Sequence, residues 1–153
     1  MSDFFKKNLS KRFRGFYPVV IDVETGGFNP SQDALLDIGV VFLTIDSHGL
    51  LVKDRVLSLP VIPEPGLLLH PASLSVNKIN PHDPNRICFK ESQVIETLFN
   101  EVRLAMKDHD CSRAVLVGHN AFFDHQFIFA AAARQNAKRN PLHSFSCLDT
   151  VTL

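Results

Sequence analysis

"VVIDVETGGF", residues 19–28, decides how the rest of the chain is read. Val19, Val20 and Ile21 are a β-branched run suited to a buried strand. The run then sets Asp22 and Glu24 one residue apart and breaks into Gly26 and Gly27. Side chains alternate faces along a strand, so these two carboxylates project from the same side, with Cα atoms about 6.6–6.8 Å apart. Two like charges that close repel and lose hydration unless something positive lies between them. A divalent cation would supply that charge. A strand that simply leaves the core at Asp22, with both groups in water, accounts for the pair as well.

A third carboxylate bears on the choice. In "VGHNAFFDHQFIFAAAARQ", residues 117–135, Asp124 falls in the first turn of a helix that is apolar nearly all round. Phe127, Ile128 and Ala131 share its face at spacings of three, four and seven. Placement near a helix N-terminus favours an anion by only about 0.3–1 kcal/mol, little against the cost of a charge on an apolar face. Metal coordination accounts for Asp124 better. Carboxylates from a strand end and a facing helix suit magnesium or manganese, which keep positions open for phosphate oxygens and water. Two such ions about 3.5–4 Å apart steady both the attacking and leaving oxygens of a phosphoryl displacement. The chemistry suggested is phosphodiester hydrolysis.

Working outward, strands are expected over 17–24, 35–45 and 50–59, joined by short links as a meander. Residues 60–90 hold six of the nine prolines and read as a long irregular connection, with one helical turn near Ala72 to Val76. Val94, Ile95, Leu98, Val102 and Ala105 recur at helical spacing, predicting a helix from Glu91 to about Lys107. Ala114 to Gly118 is a short apolar strand fit for the middle of a sheet covered on both faces, and a second helix runs from about Ala121 to Asn136. The order predicts an α/β fold, a mixed sheet flanked by helices.

The 153 residues fit one domain, expected over 16–153 behind a polar, basic arm over 1–15. Sixteen basic and sixteen acidic residues cancel, so nucleic-acid binding would have to come from local clusters. Cys88, Cys111 and Cys147 are odd in number and far apart, favouring free thiols over disulfides or a zinc site. With no signal-like apolar region and no stretch near the roughly 18 apolar residues of a membrane span, a soluble, cytoplasmic protein is expected.

"VVIDVETGGF" and "VGHNAFFDHQFI" resemble the first two motifs of the DEDD 3′-to-5′ exonuclease superfamily, in its DEDDh branch, which has an RNase H-like fold. "RFRGFYPVVIDVETGGF", "DALLDIGVV", "NPHDPNR", "AAAARQNAKRNPLHSF" and "LDT" extend the likeness from Arg12 to Leu153, towards one bacterial RNA-trimming group of that superfamily. The resemblance implies a homodimeric exoribonuclease that uses Mg2+ or Mn2+, two ions per intact site. Its substrates would be 3′ ends of transfer RNA and other stable RNA, and single-stranded DNA. Asp22, Glu24 and Asp124 match the superfamily's first three metal-binding acids. Gly26 and Gly27 would let the backbone approach the substrate terminus.

The superfamily's last motif, a histidine five residues before a fourth aspartate, is not found. His119 and Asp124 have that spacing but belong to the second motif, and His143 and Asp149 are six apart. That histidine would act as general base, a role worth about 10²- to 10⁴-fold. The expectation is therefore an exonuclease domain lacking its C-terminal elements, truncated before the third motif, with weak catalysis at best.

Thirteen phenylalanines with no tryptophan are mostly core. Phe28, Phe123 and Phe145 lie beside the motifs, where aromatic faces can stack terminal bases at about 1–3 kcal/mol each; core packing is the rival reading. By resemblance each is a substrate-binding position, and a further aromatic there is Val76 in this chain. Basic residues cluster at Lys6, Lys7, Lys11, Arg12 and Arg14, at Arg113, and at Arg134, Lys138 and Arg139. Ordinary solvated charge is one account. By resemblance Arg12, Arg14, Lys107, Arg113, Lys138 and Arg139 grip RNA for the partner subunit's active site. Two other functions stay open: a catalytically silent RNA-binding or dimerisation module, and a metal-bound structural domain.

Overall fold

A computed structural model describes residues 9–152. Lys6, Lys7, the first part of the 1–15 arm and Leu153 lie outside the described residues. Six strands form one sheet in the order β4-β3-β2-β1-β5-β6. The first three, β1 (Phe16–Thr25), β2 (Leu35–Ile45) and β3 (Leu51–Ile62), are the antiparallel meander that the three strand runs and their short links predict. The connection after β3 holds a short helix, α1 (Pro71–Asn77), and a two-residue strand, β4 (Phe89–Lys90). Then come α2 (Glu91–Asp108), β5 (Arg113–Gly118), α3 (Ala121–Arg134) and β6 (Leu142–Asp149), closed by a 3-10 turn over Thr150–Thr152.

The core follows from the periodicities. Val94, Ile95, Leu98, Phe99, Val102 and Ala105 of α2 and Phe127, Ile128 and Ala131 of α3 are buried in one cluster with Tyr17, Val19, Ile21 and Val23 of β1. The helices are pinned to each other by a buried ion pair. Glu91, fully buried at the start of α2, accepts from Arg134 Nε and Nη2 at 2.9 and 2.8 Å and from Gln135 Nε2 at 3.0 Å. The irregular connection is tied down by Arg86, whose guanidinium donates to the carbonyls of Val61 and Leu36.

Three features differ from the sequence expectation. β6 pairs in parallel with β5, although "LHSFSCLD" is interrupted by serines and carries no strand signature. β4 is too short to leave any pattern. The core also begins inside the stretch expected as a basic arm: a helical turn over residues 9–12 places Leu9 fully buried in the main cluster, with Phe13 packed against it. Full burial of one leucine contributes about 1.5–3 kcal/mol. Cys88, Cys111 and Cys147 are free. Among the described residues no helix is long and apolar enough to cross a membrane.

Candidate active site

The parting of β1 and β5 builds the site. Their parallel pairing runs from Phe16 with Arg113 to Val20 with Val117, after which β5 turns away at Gly118 and β1 continues to Thr25. A side chain at Gly118 would crowd the Ile21 carbonyl, at 3.1 Å from its Cβ, so glycine lets the two backbones separate from close quarters. Beyond the fork the Val23 N–H no longer faces a strand. Asp124 Oδ1, from the first turn of α3, accepts it at 2.8 Å. This one bond brings the helix carboxylate against the backbone between Asp22 and Glu24.

The electrostatics are those of a crowded acid cluster. Asp124 is 3% exposed. Burial first, then the charges of Asp22 and Glu24, push its carboxyl up to about 6, against the pull of the Val23 N–H. Glu24 is raised as well, by burial and then by Asp22 and Asp37. Asp22 and Glu24 themselves are exposed. An all-oxygen donor set short of positive charge is what a hard cation requires. Among the described residues, however, no three His, Cys, Asp or Glu side chains already converge as ligands of one ion, and one Asp124 oxygen is engaged on Val23. The second Asp124 oxygen and the two exposed strand carboxylates are the donors that would have to turn together to hold a cation.

Helix α3 is placed by a residue the sequence reading set aside. Asn120, ahead of the helix, is left-handed at φ 56° and offers no side-chain cap. Asp149, at the end of β6, caps in its stead: its two oxygens accept from Asn120 N at 3.0 Å and Ala121 N at 3.1 Å, and one also takes Val151 N at 2.9 Å. Its carboxyl is held below the usual range by the Val151 N–H and then by the helix N–H groups. His143 Nδ1 accepts from Ser146 N at 3.0 Å. His143 and Asp149 are thus each engaged with backbone N–H groups. Only the "LDT" string hinted at Asp149, and spacing alone did not disclose its partner.

Beside the acids lies an apolar hollow of about 270 Å³ lined by Glu24, Phe28, Ala72, Ser73, Val76 and Phe123, among others. Phe28 and Val76 are each 83% exposed. The Phe28 and Phe123 rings meet edge-on at 6.3 Å. Phe145 is also exposed but stands on β6, outside this lining, with its ring against His143 at 4.6 Å.

The cations are elsewhere. Arg14 precedes β1, and the Gly15 carbonyl beside it accepts from Ser112 N at 2.9 Å. Arg113, at the start of β5, donates to the Asn140 and Leu142 carbonyls, next to Lys138 and Arg139. Lys107 is in the last turn of α2, and Arg12 donates to the Gly49 carbonyl. Arg14 and Arg113 therefore mark the beginning of β1 and the acids its end, about 20 Å apart at ~3.3 Å per residue.

A forked mixed sheet with two strand carboxylates and a helix carboxylate near the fork is the architecture of RNase H-like nucleases of the DEDD type, a metal-dependent group. Among solved structures, Escherichia coli exonuclease I in complex with a dT13 oligonucleotide matches with a TM-score of 0.63 at 15% identity, over 88% of this chain and 28% of that one. Exonuclease I from Methylocaldum szegediense matches with a TM-score of 0.65 at 18% identity, over 90% and 28%. At these identities the likeness shows the fold. No protein-family model matches the chain. Ribonuclease T of Wigglesworthia glossinidia brevipalpis is 51% identical over 148 residues, which is 97% of this chain and 69% of that protein. Ribonuclease T of Klebsiella pneumoniae is 52% identical over 145 residues, 95% and 67%. The chain belongs to the ribonuclease T family, and spans about two thirds of the length of these relatives.

Proposed function

We propose that the chain is a 3′-to-5′ exoribonuclease domain that trims the 3′ ends of transfer RNA and other stable RNA, and of single-stranded DNA. Asp22, Glu24 and Asp124 would hold Mg2+ or Mn2+, two ions in an intact site. When bound, the metal would polarise the scissile phosphate and lower the pKa of an attacking water. The chain's own residues do the positioning. Asp124, fixed by the Val23 N–H, sets the helix side of the cluster, and Asp22 and Glu24 supply the strand side. Phe28 and Phe123 stack the terminal bases in the hollow, with Val76 as a smaller contact. Phe145, outside the hollow, would stack a base further from the end.

The observation that carries this reading is the Asp124 to Val23 bond, which sets a third acid beside Asp22 and Glu24. The separation of Arg14 and Arg113 from the acids favours a homodimer in which one subunit's cations, Arg12, Lys107, Lys138 and Arg139 among them, steer RNA into its partner's site. These 153 residues hold no histidine five before an aspartate outside the second motif, so they supply three acids without the general base. A second reading is a catalytically silent RNA-binding or dimerisation module of the same fold. A 5′-labelled single strand incubated with Mg2+ or Mn2+ separates the two. A 3′-shortened ladder lost in Asp22→Asn supports the exonuclease, and salt-sensitive binding without a ladder supports the binding module.

A further inference from the structure

We propose that Asp33 and His70 form a latch that fixes the spacing between the two walls of the apolar hollow, and so determine whether it accepts a nucleobase. The proposal rests on the nucleic-acid reading above and adds two positioning residues outside the acid and aromatic sets.

One wall is the loop after β1, which carries Phe28; the other is α1, which carries Ala72, Ser73 and Val76. Helix α1 is seven residues long and has no buried residue, so packing of its own side chains does not hold it in place. It is held by its ends. At the far end Asn77 Nδ2 donates to the Thr25 carbonyl at 3.0 Å. At the near end the His70 N–H donates to the Gly26 carbonyl at 2.7 Å, and His70 Nε2 donates to Asp33 Oδ1 at 2.9 Å.

Asp33 is the common anchor. Its carboxylate is nearly fully buried, and its second oxygen accepts the Asn29 N–H at 2.8 Å, closing the turn that carries Phe28. A buried carboxylate is tolerable only with its donors in place. One side chain therefore ties the Phe28 turn and the start of α1 to the same point. The fit is tight: a Cβ on Gly27 would come within 2.1 Å of Asp33 Oδ2 and 2.5 Å of His70 Cδ2. His70 itself is half exposed, its side chain at 52%, lining a second hollow that also borders Phe28. Hydrophobic burial therefore does not account for its place. Its backbone is held by the Gly26 carbonyl and by the bridge of Leu68 to the Asp33 segment, and its ring by the bond to Asp33.

The test is a fluorescence-anisotropy titration, with Ca2+ present, of a labelled single-stranded decamer against the same strand ending in an abasic sugar. The wild type should bind the base-ended strand about 10-fold more tightly, as one stacked base predicts. His70→Ala should reduce that preference to under about 2-fold while leaving affinity for the abasic strand nearly unchanged, since the stacking contribution alone is lost. His70→Gln, whose amide N–H can reach the same Asp33 oxygen, should restore most of it. A His70→Ala protein that keeps the preference, that loses affinity for both strands equally, or that His70→Gln does not mend would overturn the latch. A wild type that binds strands without preferring a base at the end overturns it too. A wild type that binds neither strand sinks instead the nucleic-acid reading on which it stands.

Discussion

Asp149 accepts the Ala121 N–H at 3.1 Å, and through it a carboxylate on the last strand fixes the start of the helix that carries Asp124. The Asn120 N–H donates to the other oxygen of Asp149 at 3.0 Å. Asp149→Ala should leave both N–H groups without a protein acceptor, lowering the thermal midpoint by about 4 °C. Loosening Asp124 should weaken Mn2+ binding roughly 10-fold, the usual cost of losing an outer support of a metal ligand. Because its carboxyl is depressed in the folded state, the contribution of Asp149 is present above the ordinary carboxylate range and lost as pH falls through the folded pKa. Calorimetric melts and Mn2+ titrations of the variant check both parts, and unchanged Mn2+ affinity would confine Asp149 to stability.

Asp124 makes the opposite contribution. Its folded pKa, about 6, lies above the ordinary 3.8, so the native state binds more protons than the unfolded one between those values. Stability of the metal-free protein should fall as pH rises through that window, by no more than about 3 kcal/mol at 1.36 kcal/mol per unit. Asp124→Asn keeps an oxygen for the Val23 N–H and removes the charge. It should melt several degrees higher than the wild type at pH 7.5 without metal, yet gain nothing from added Mn2+ or Mg2+. A variant that melts lower, or that the metal still stabilises, contradicts this account.

At the hollow, Phe28→Ala should weaken binding of a single-stranded 3′ end by about 1–3 kcal/mol, roughly 5- to 150-fold. Val76→Phe should tighten it, adding a ring opposite Phe28. Phe145→Ala should matter only for strands long enough to reach β6. Affinities measured with strands of increasing length check all three together.

The cationic segments make a salt prediction. Replacing Arg113, Lys138 and Arg139 by alanine should flatten the dependence of log affinity on log salt by about 0.7 for each phosphate no longer neutralised. Base-end preference should stay intact. An unchanged slope would mark these residues as solvated charge alone.

The pinned helices give a stability prediction independent of function. Arg134→Ala leaves Glu91 fully buried with only Gln135 as partner, and should cost about 3–5 kcal/mol in denaturant titrations.

What the sequence made legible was whatever left a period or a cluster. The Val-, Ile- and Leu-rich runs of β1 and β2 and the three-four spacing in α2 gave those elements to within about a residue, while β3 runs to Ile62, past the expected end at 59. Asp22, Glu24 and Asp124 stood out because charge on an apolar frame is costly. Of β6 only the Asp149 end was legible as strand, because its serines break the alternation and its pairing with β5 makes the rest a strand. Leu9 was absorbed into a basic arm because one leucine among cations shows no periodicity. Asp149 and the Asp33 to His70 bond were illegible for another reason. Each depends on a partner 28 or more residues away, and composition does not encode which distant N–H a carboxylate will find.

The distance along β1 between the cations and the acids has a consequence for how the molecule would behave at low abundance. If grip and cut come from different subunits, output per molecule depends on how crowded the solution is. Dilution past the point where pairs fall apart would silence well-folded chains, and a modest drop in expression would cost a cell more than its share of trimming.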